Sequence, residues 1–199
     1  MAKSFKQPLL IGLLALAPLF TACERSADIS GVTELPVPTV AAARQKTARV
    51  VTRQTVSTSG VVYSQWISGG KSTTLTIGKY ELFVPKGAVK KPTLFRMQVL
   101  SGDVIGVSLH AWDNSFQPVT QFQAPLRLTL PYDDADFSQF ENPSKLLLAN
   151  IVSDTDTSIL ELVSPSIDPI HQTITGNITH FSIWSLAVSL SKELSPGID

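Results

Sequence analysis

The chain has 199 residues, 16 basic against 16 acidic side chains, 43% hydrophobic residues and one cysteine. With charge balanced and no basic stripe, composition argues against nucleic acid as a partner. A single cysteine excludes a disulfide framework within the chain, so any core must stand on packing.

Lys3 and Lys6 form a basic head, and Leu9 to Phe20 follows as an uncharged apolar run. That run is about 12 residues, against the roughly 20 that a helix needs to cross a bilayer, so it has the length of a secretory signal core and not of a retained span. Small residues, Thr21 and Ala22, then precede Cys23. The stretch resembles a bacterial lipoprotein signal with its lipobox; it departs in carrying Phe20 where such signals usually have Leu three positions before the cysteine. The resemblance implies cleavage between Ala22 and Cys23, a diacylglyceryl group on the sulfur and an acyl chain such as palmitate on the new α-amine. Each buried CH₂ contributes about 0.8 kcal/mol, so two or three chains would hold the protein firmly where one would not. The alternative is an ordinary secretory signal that leaves Cys23 as a lone thiol. Glu24 stands where lipoproteins kept at the inner membrane often have Asp, which by analogy favours the outer membrane.

Removal of residues 1–22 would leave about 177 residues with 14 basic and 16 acidic side chains. Residues 23–46 read as the lipidated cysteine and a linker, with Leu35-Pro36-Val37-Pro38 and Ala41-Ala42-Ala43 and no helical or strand period. As a flexible coil such a tether spans roughly 25 Å. An edge strand over Val37 to Val40 is the alternative for part of it.

From Thr47 the pattern is β, with short strand-forming runs separated by Gly, Pro, Asn and Asp. The predicted strands are Arg49–Thr58, Gly60–Ile67, Ser72–Ile77, Tyr80–Val84, Thr93–Leu100, Val104–Trp112, Leu126–Tyr132, Lys145–Val152, Ser158–Val163, Thr173–Ile178 and Phe181–Ser189. Phe95, Met97 and Val99 alternate with Arg96 and Gln98, and Leu126, Leu128 and Leu130 with Arg127 and Thr129, the mark of strands with one buried and one wet face. The expected fold is an all-β antiparallel sandwich over residues 47–190, with a tail at 191–199. Asp134–Phe140 is a single helical turn at most, stopped by Pro143.

Tyr80-Glu81-Leu82-Phe83-Val84-Pro85-Lys86-Gly87-Ala88-Val89 resembles the central motif of the ZU-5 domain, the β-sandwich of zonula occludens proteins, UNC-5 receptors and ankyrins. Gly69-Gly70 before Leu75-Thr76-Ile77, the strand Thr93 to Met97, Pro125 to Tyr132, and His180 to Leu186 resemble further family segments in order, so the likeness spans roughly Ser59 to Ser189. It implies a scaffold or interaction module. Independently of the family, Pro85 lacks an N–H and ends a strand after Val84, and Pro85 with Gly87 makes a turn that returns Ala88 and Val89 to the core.

His180-Phe181-Ser182 is the sharpest chemical candidate. In some ZU-5 domains this tripeptide cleaves itself by an N→O acyl shift, and the resemblance implies His180 as base, Ser182 Oγ as nucleophile and the Phe181 carbonyl as target. On one strand, residues two apart share a face, which would make His180 and Ser182 neighbours. The bland alternative packs Phe181 in the core and gives His180 and Ser182 ordinary polar partners. His110, His171 and His180 lack zinc spacings. Asp133-Asp134-Ala135-Asp136 lacks the sixth-position Gly and the distal Glu of a calcium loop. Gly69-Gly70 is a turn, not a phosphate loop, and no Gly-x-Ser-x-Gly elbow occurs. Trp66, Trp112 and Trp184 could stack on sugars, though core packing is the commoner use. Asn177-Ile178-Thr179 fits a glycosylation pattern without meaning in a bacterial protein. An enzyme acting on an outside substrate would need a pocket of converging polar groups around His110 or His171. The expectation is therefore a lipid-tethered, non-enzymatic module without cofactor or metal, facing a protein or glycan of the bacterial envelope, with self-cleavage at Phe181-Ser182 as the alternative.

Overall fold

The computed structural model describes residues 47–58, 60–139 and 142–190. The expected signal at 1–22, Cys23, Glu24, the linker to residue 46 and the tail at 191–199 lie outside the described residues. Among the described residues no helix is long and apolar enough to cross a membrane.

The described residues form an all-β antiparallel sandwich, with two short 3₁₀ turns. One sheet contains β1 (Ala48–Val50), β3 (Val62–Ile67), β6 (Thr93–Val99), β8 (Gly106–Asp113), β10 (Leu146–Ile151), β11 (Ile159–Val163) and β14 (Ile183–Ser189). Its order is β11-β10-β14-β8-β6-β3, with β1 also paired to β14. The facing sheet runs β12 (Ser166–Asp168), β13 (Thr173–Ile178), β9 (Leu126–Pro131), β5 (Tyr80–Val84) and β4 (Thr73–Ile77). A two-stranded ribbon joins β2 (Thr52–Ser57) to β7 (Gly102–Val104).

Alternation in the sequence becomes the two inner faces. Phe95, Met97 and Val99 on β6 and Leu126, Leu128 and Leu130 on β9 are buried in one cluster, with Leu75, Leu82, Leu109, Leu148, Ile174, Trp184 and Leu186. Burial of a Leu- or Phe-sized side chain contributes roughly 1.5–3 kcal/mol, which lets this core hold the sheets without disulfides. Ala149, Ile151 and Ala187, which alternate with inward Leu148, Asn150 and Leu186, form a second buried cluster on the opposite face with Ala48, Leu100, Val104 and Ile159.

The turn after β5 behaves as its residues dictate. β5 ends at Val84, Gly87 takes φ 84°, and Ala88 and Val89 are buried. Gly87 N–H donates to Gly69 O at 2.9 Å, and a Cβ on Gly69 would stand 2.0 Å from Val89 O. Gly69-Gly70 is a turn, and Gly69 is demanded there by the close approach of the Val89 backbone.

Several boundaries differ from the predicted ones. Arg49–Thr58 is two strands, because Val51 is fully buried and its N–H donates to Leu186 O, breaking the run between β1 and β2. Val104 belongs to the ribbon strand β7, and the last strand begins at Ile183, not Phe181. The helical turn is 3₁₀ and spans Phe137–Gln139; a second covers Pro143–Lys145, with Asn142 Oδ1 accepting from Ser144 N–H.

Candidate functional site

His180, Phe181 and Ser182 lie in the bend leading into β14. Since neither polar residue is in the strand, the expected shared strand face is corrected: each turns to a different neighbour. Ser182 Oγ donates to Asn150 Oδ1 at 2.8 Å, and His180 Nε2 donates to Glu161 Oε2 at 2.7 Å. Asn150 on β10 is in register with Glu161 on β11 and Trp184 on β14, so the three form one row at the end of the inner face. The His180 ring lies 5.4 Å from that of Trp184. Phe181 packs against Phe95 and Phe122 with ring centroids at 5.3 and 4.7 Å. Both ring nitrogens of His180 face acceptors: Nε2 the Glu161 carboxylate and Nδ1 the Phe181 carbonyl oxygen, 3.5 Å away, which can only accept. Ser182 must leave Asn150 before Nδ1 can take its proton. Glu161 and Asn150 belong to this cluster and were missed in the sequence, where they stand 19 and 32 positions from their partners.

The tryptophans divide. Trp184 is fully buried, as core packing expects, but Trp66 is 48% exposed and Trp112 is half-buried. Trp66 on β3, Leu94 on β6 and Trp112 on β8 are in direct register across the outer face of the larger sheet. Strand spacing puts the two indoles roughly 10 Å apart. Phe116 is 68% exposed and meets Trp66 edge-on at 6.3 Å. Two residues along, Ser64, Arg96 and His110 form the next row. The His110 ring stacks beside Trp112 at 5.6 Å and its Nε2 contacts Ser108 Oγ at 3.0 Å. Burial, then the Arg96 charge, lowers its pKa from the usual value near 6.5. Arg96 Nε is buried without a partner among the described residues.

Asp133, Asp134 and Asp136 do not converge. Asp133 pairs with Lys79 at 2.7 Å and Asp134 with Arg53 at 3.2 Å, while Asp136 Oδ1 accepts from Ser138 N–H. Among the described residues no three His, Cys, Asp or Glu side chains are grouped as for a metal.

Two grooves of about 500 Å³ flank the smaller sheet. One has apolar walls including Val61, Ile77 and Ile105 around Arg53, whose side chain is 7% exposed and bonded to Tyr80 Oη at 3.1 Å. The other runs past Glu81, Thr129 and His171. His171 Nδ1 is held at 2.7 Å by Asp168, which also accepts from the N–H groups of Ile170 and His171. The pair therefore closes the β12–β13 turn, and His171 itself stands 74% exposed at the open rim.

No protein-family model matches this chain, and no curated protein is found similar to it in sequence.

Proposed function

We propose that the protein is a lipid-anchored, non-enzymatic binding module of the bacterial envelope, resembling a ZU-5 sandwich and held to the membrane through Cys23. What supports it is the order of parts: a basic, apolar, small-residue leader closes on the only cysteine and precedes a disulfide-free sandwich. The outer membrane is the favoured address, on the identity of Glu24. The outer sheet face, where Trp66 and Phe116 stand in solvent, supports recognition over catalysis, because exposed aromatics give binding area at low entropic cost. Growth of an expressing bacterium with an alkyne-bearing palmitate tests the anchor. Wild-type protein should take up label, and Cys23→Ser should take up none. Equal labelling of the two, or none in either, would overturn the assignment.

A second reading rests on the Glu161–His180 pair beside the Phe181 carbonyl. Here Ser182 Oγ attacks the Phe181 carbonyl carbon, His180 Nδ1 takes its proton and returns it to the Ser182 nitrogen as the C–N bond breaks. Water then splits the ester into a Phe181 carboxyl group and the Ser182 hydroxyl, leaving a second chain that begins at the Ser182 amine freed in the shift. Two chain masses that become one in Ser182→Ala would favour it; a single mass in the wild type after prolonged incubation would remove it.

A further inference from the structure

We infer that the outer face of strands β3, β6 and β8 is a binding site for an acidic glycan, with Trp66, Trp112 and Phe116 stacking on sugar rings and Arg96 receiving a sugar carboxylate. The inference deepens the binding-module reading and rests on it.

Four observations converge there. Trp66 and Trp112 lie in register across Leu94, giving a flat apolar strip about two strand spacings, roughly 10 Å, wide. That is close to the length of two linked hexoses, whose C–H faces are apolar while their hydroxyls stay in water. Phe116 extends the strip, and it does so at φ 57°, a conformation natural to Gly or Asn and strained for a bulky side chain. Asp113 imposes it by accepting from Ser115 N–H at 2.8 Å and Gln117 N–H at 3.0 Å. A chain selected for stability alone gains nothing by keeping an exposed Phe at that position.

The polar row fixes the sign of the ligand. Arg96 sits between Ser64 and His110, with Gln98, Val62 and Ser108 in the row beyond. None of these carries negative charge. A guanidinium beside a stacking surface suits a planar carboxylate, which it can meet through its two terminal Nη groups; its Nε is buried and, among the described residues, has no partner. Neutral glycans would use the strip alone.

The test uses full-length protein in a zwitterionic detergent without a sugar headgroup, titrated by calorimetry. The probes are a hexasaccharide of alternating glucuronate and N-acetylglucosamine, and neutral chitohexaose. The acidic sugar should bind more tightly. Trp66→Ala should weaken both by about tenfold, the size of one lost ring-stacking contact. Arg96→Gln should weaken only the acidic sugar, bringing it level with chitohexaose. Phe116→Gly should weaken both while leaving the melting temperature unchanged or higher, which a merely structural role would not do. Absence of heat with either sugar at millimolar concentration would overturn the site, as would binding indifferent to Trp66→Ala. Equal affinity for the two sugars would overturn the role of Arg96. Self-association lost on placing Pro in edge strand β3, with no sugar binding, would show instead that the face pairs copies of the chain. Uptake of palmitate with no sugar binding would sink this site and leave the anchor standing; sugar binding without palmitate would do the reverse.

Discussion

His110 shows how one side chain on the aromatic face couples to acidity. Partial burial and the neighbouring Arg96 charge disfavour its protonated form, so its folded pKa lies below that of the unfolded chain. Between the lowered folded value and the unfolded value near 6.5, the unfolded chain binds more protons, and stability rises with pH. The contribution is therefore complete above about pH 6.5 and is lost as pH falls below it. Urea midpoints should drop between pH 7.5 and pH 5.5, and His110→Gln should flatten that part of the slope. An unchanged slope in the variant would place the titration elsewhere. Asp113, Asp136, Asp156 and Asp168 act in a lower window. Hydrogen bonds to their carboxylates lower each pKa, so their contribution stands above about pH 4 and disappears as pH falls through the lowered values.

Among the strands and turns, the two adjacent glycines before β4 should behave oppositely. A Cβ at Gly69 meets Val89 O at 2.0 Å, backbone against backbone, whereas one at Gly70 meets nothing within 4 Å. Gly69→Ala should cost about 1–3 kcal/mol through overpacking. Gly70→Ala should stay within about 0.5 kcal/mol of wild type. Denaturant unfolding measures both, and equal effects would contradict the packing of the Val-Pro-Lys-Gly-Ala-Val turn on Gly69. The strands legible in the sequence were those long enough to show a period. β6 and β9 alternate over seven and six residues, and both stand where Phe95-Met97-Val99 and Leu126-Leu128-Leu130 place them. β7 and β12 have three residues each, too few to alternate, and they exist because Thr52 and Ile174 lie opposite Val104 and Ile167. The break at Val51 is likewise tertiary, made by Leu186 on a strand more than a hundred residues away.

At the scale of the molecule, the sandwich brings together what the chain keeps apart. The His180-Phe181-Ser182 tripeptide was visible, but its hydrogen-bond partners Glu161 and Asn150 arrive from β11 and β10 and have no local signature. The tryptophans were visible too, yet only register decides that Trp184 points into the core while Trp66 and Trp112 share the outer face with Arg96. The proposed leader and Cys23 are legible in the opposite sense, as a contiguous sequence pattern that needs no fold. The central claim joins these two kinds of reading: acyl chains on Cys23 carry an intact sandwich at a bacterial membrane. Intact mass spectrometry of the protein extracted from membranes tests it most directly. The account predicts one species that begins at Cys23, is heavier than the bare chain by its glyceride and acyl groups, and retains Ser182 to Asp199. A chain of unmodified mass, whether starting at residue 1 or after a cleaved leader, would contradict it.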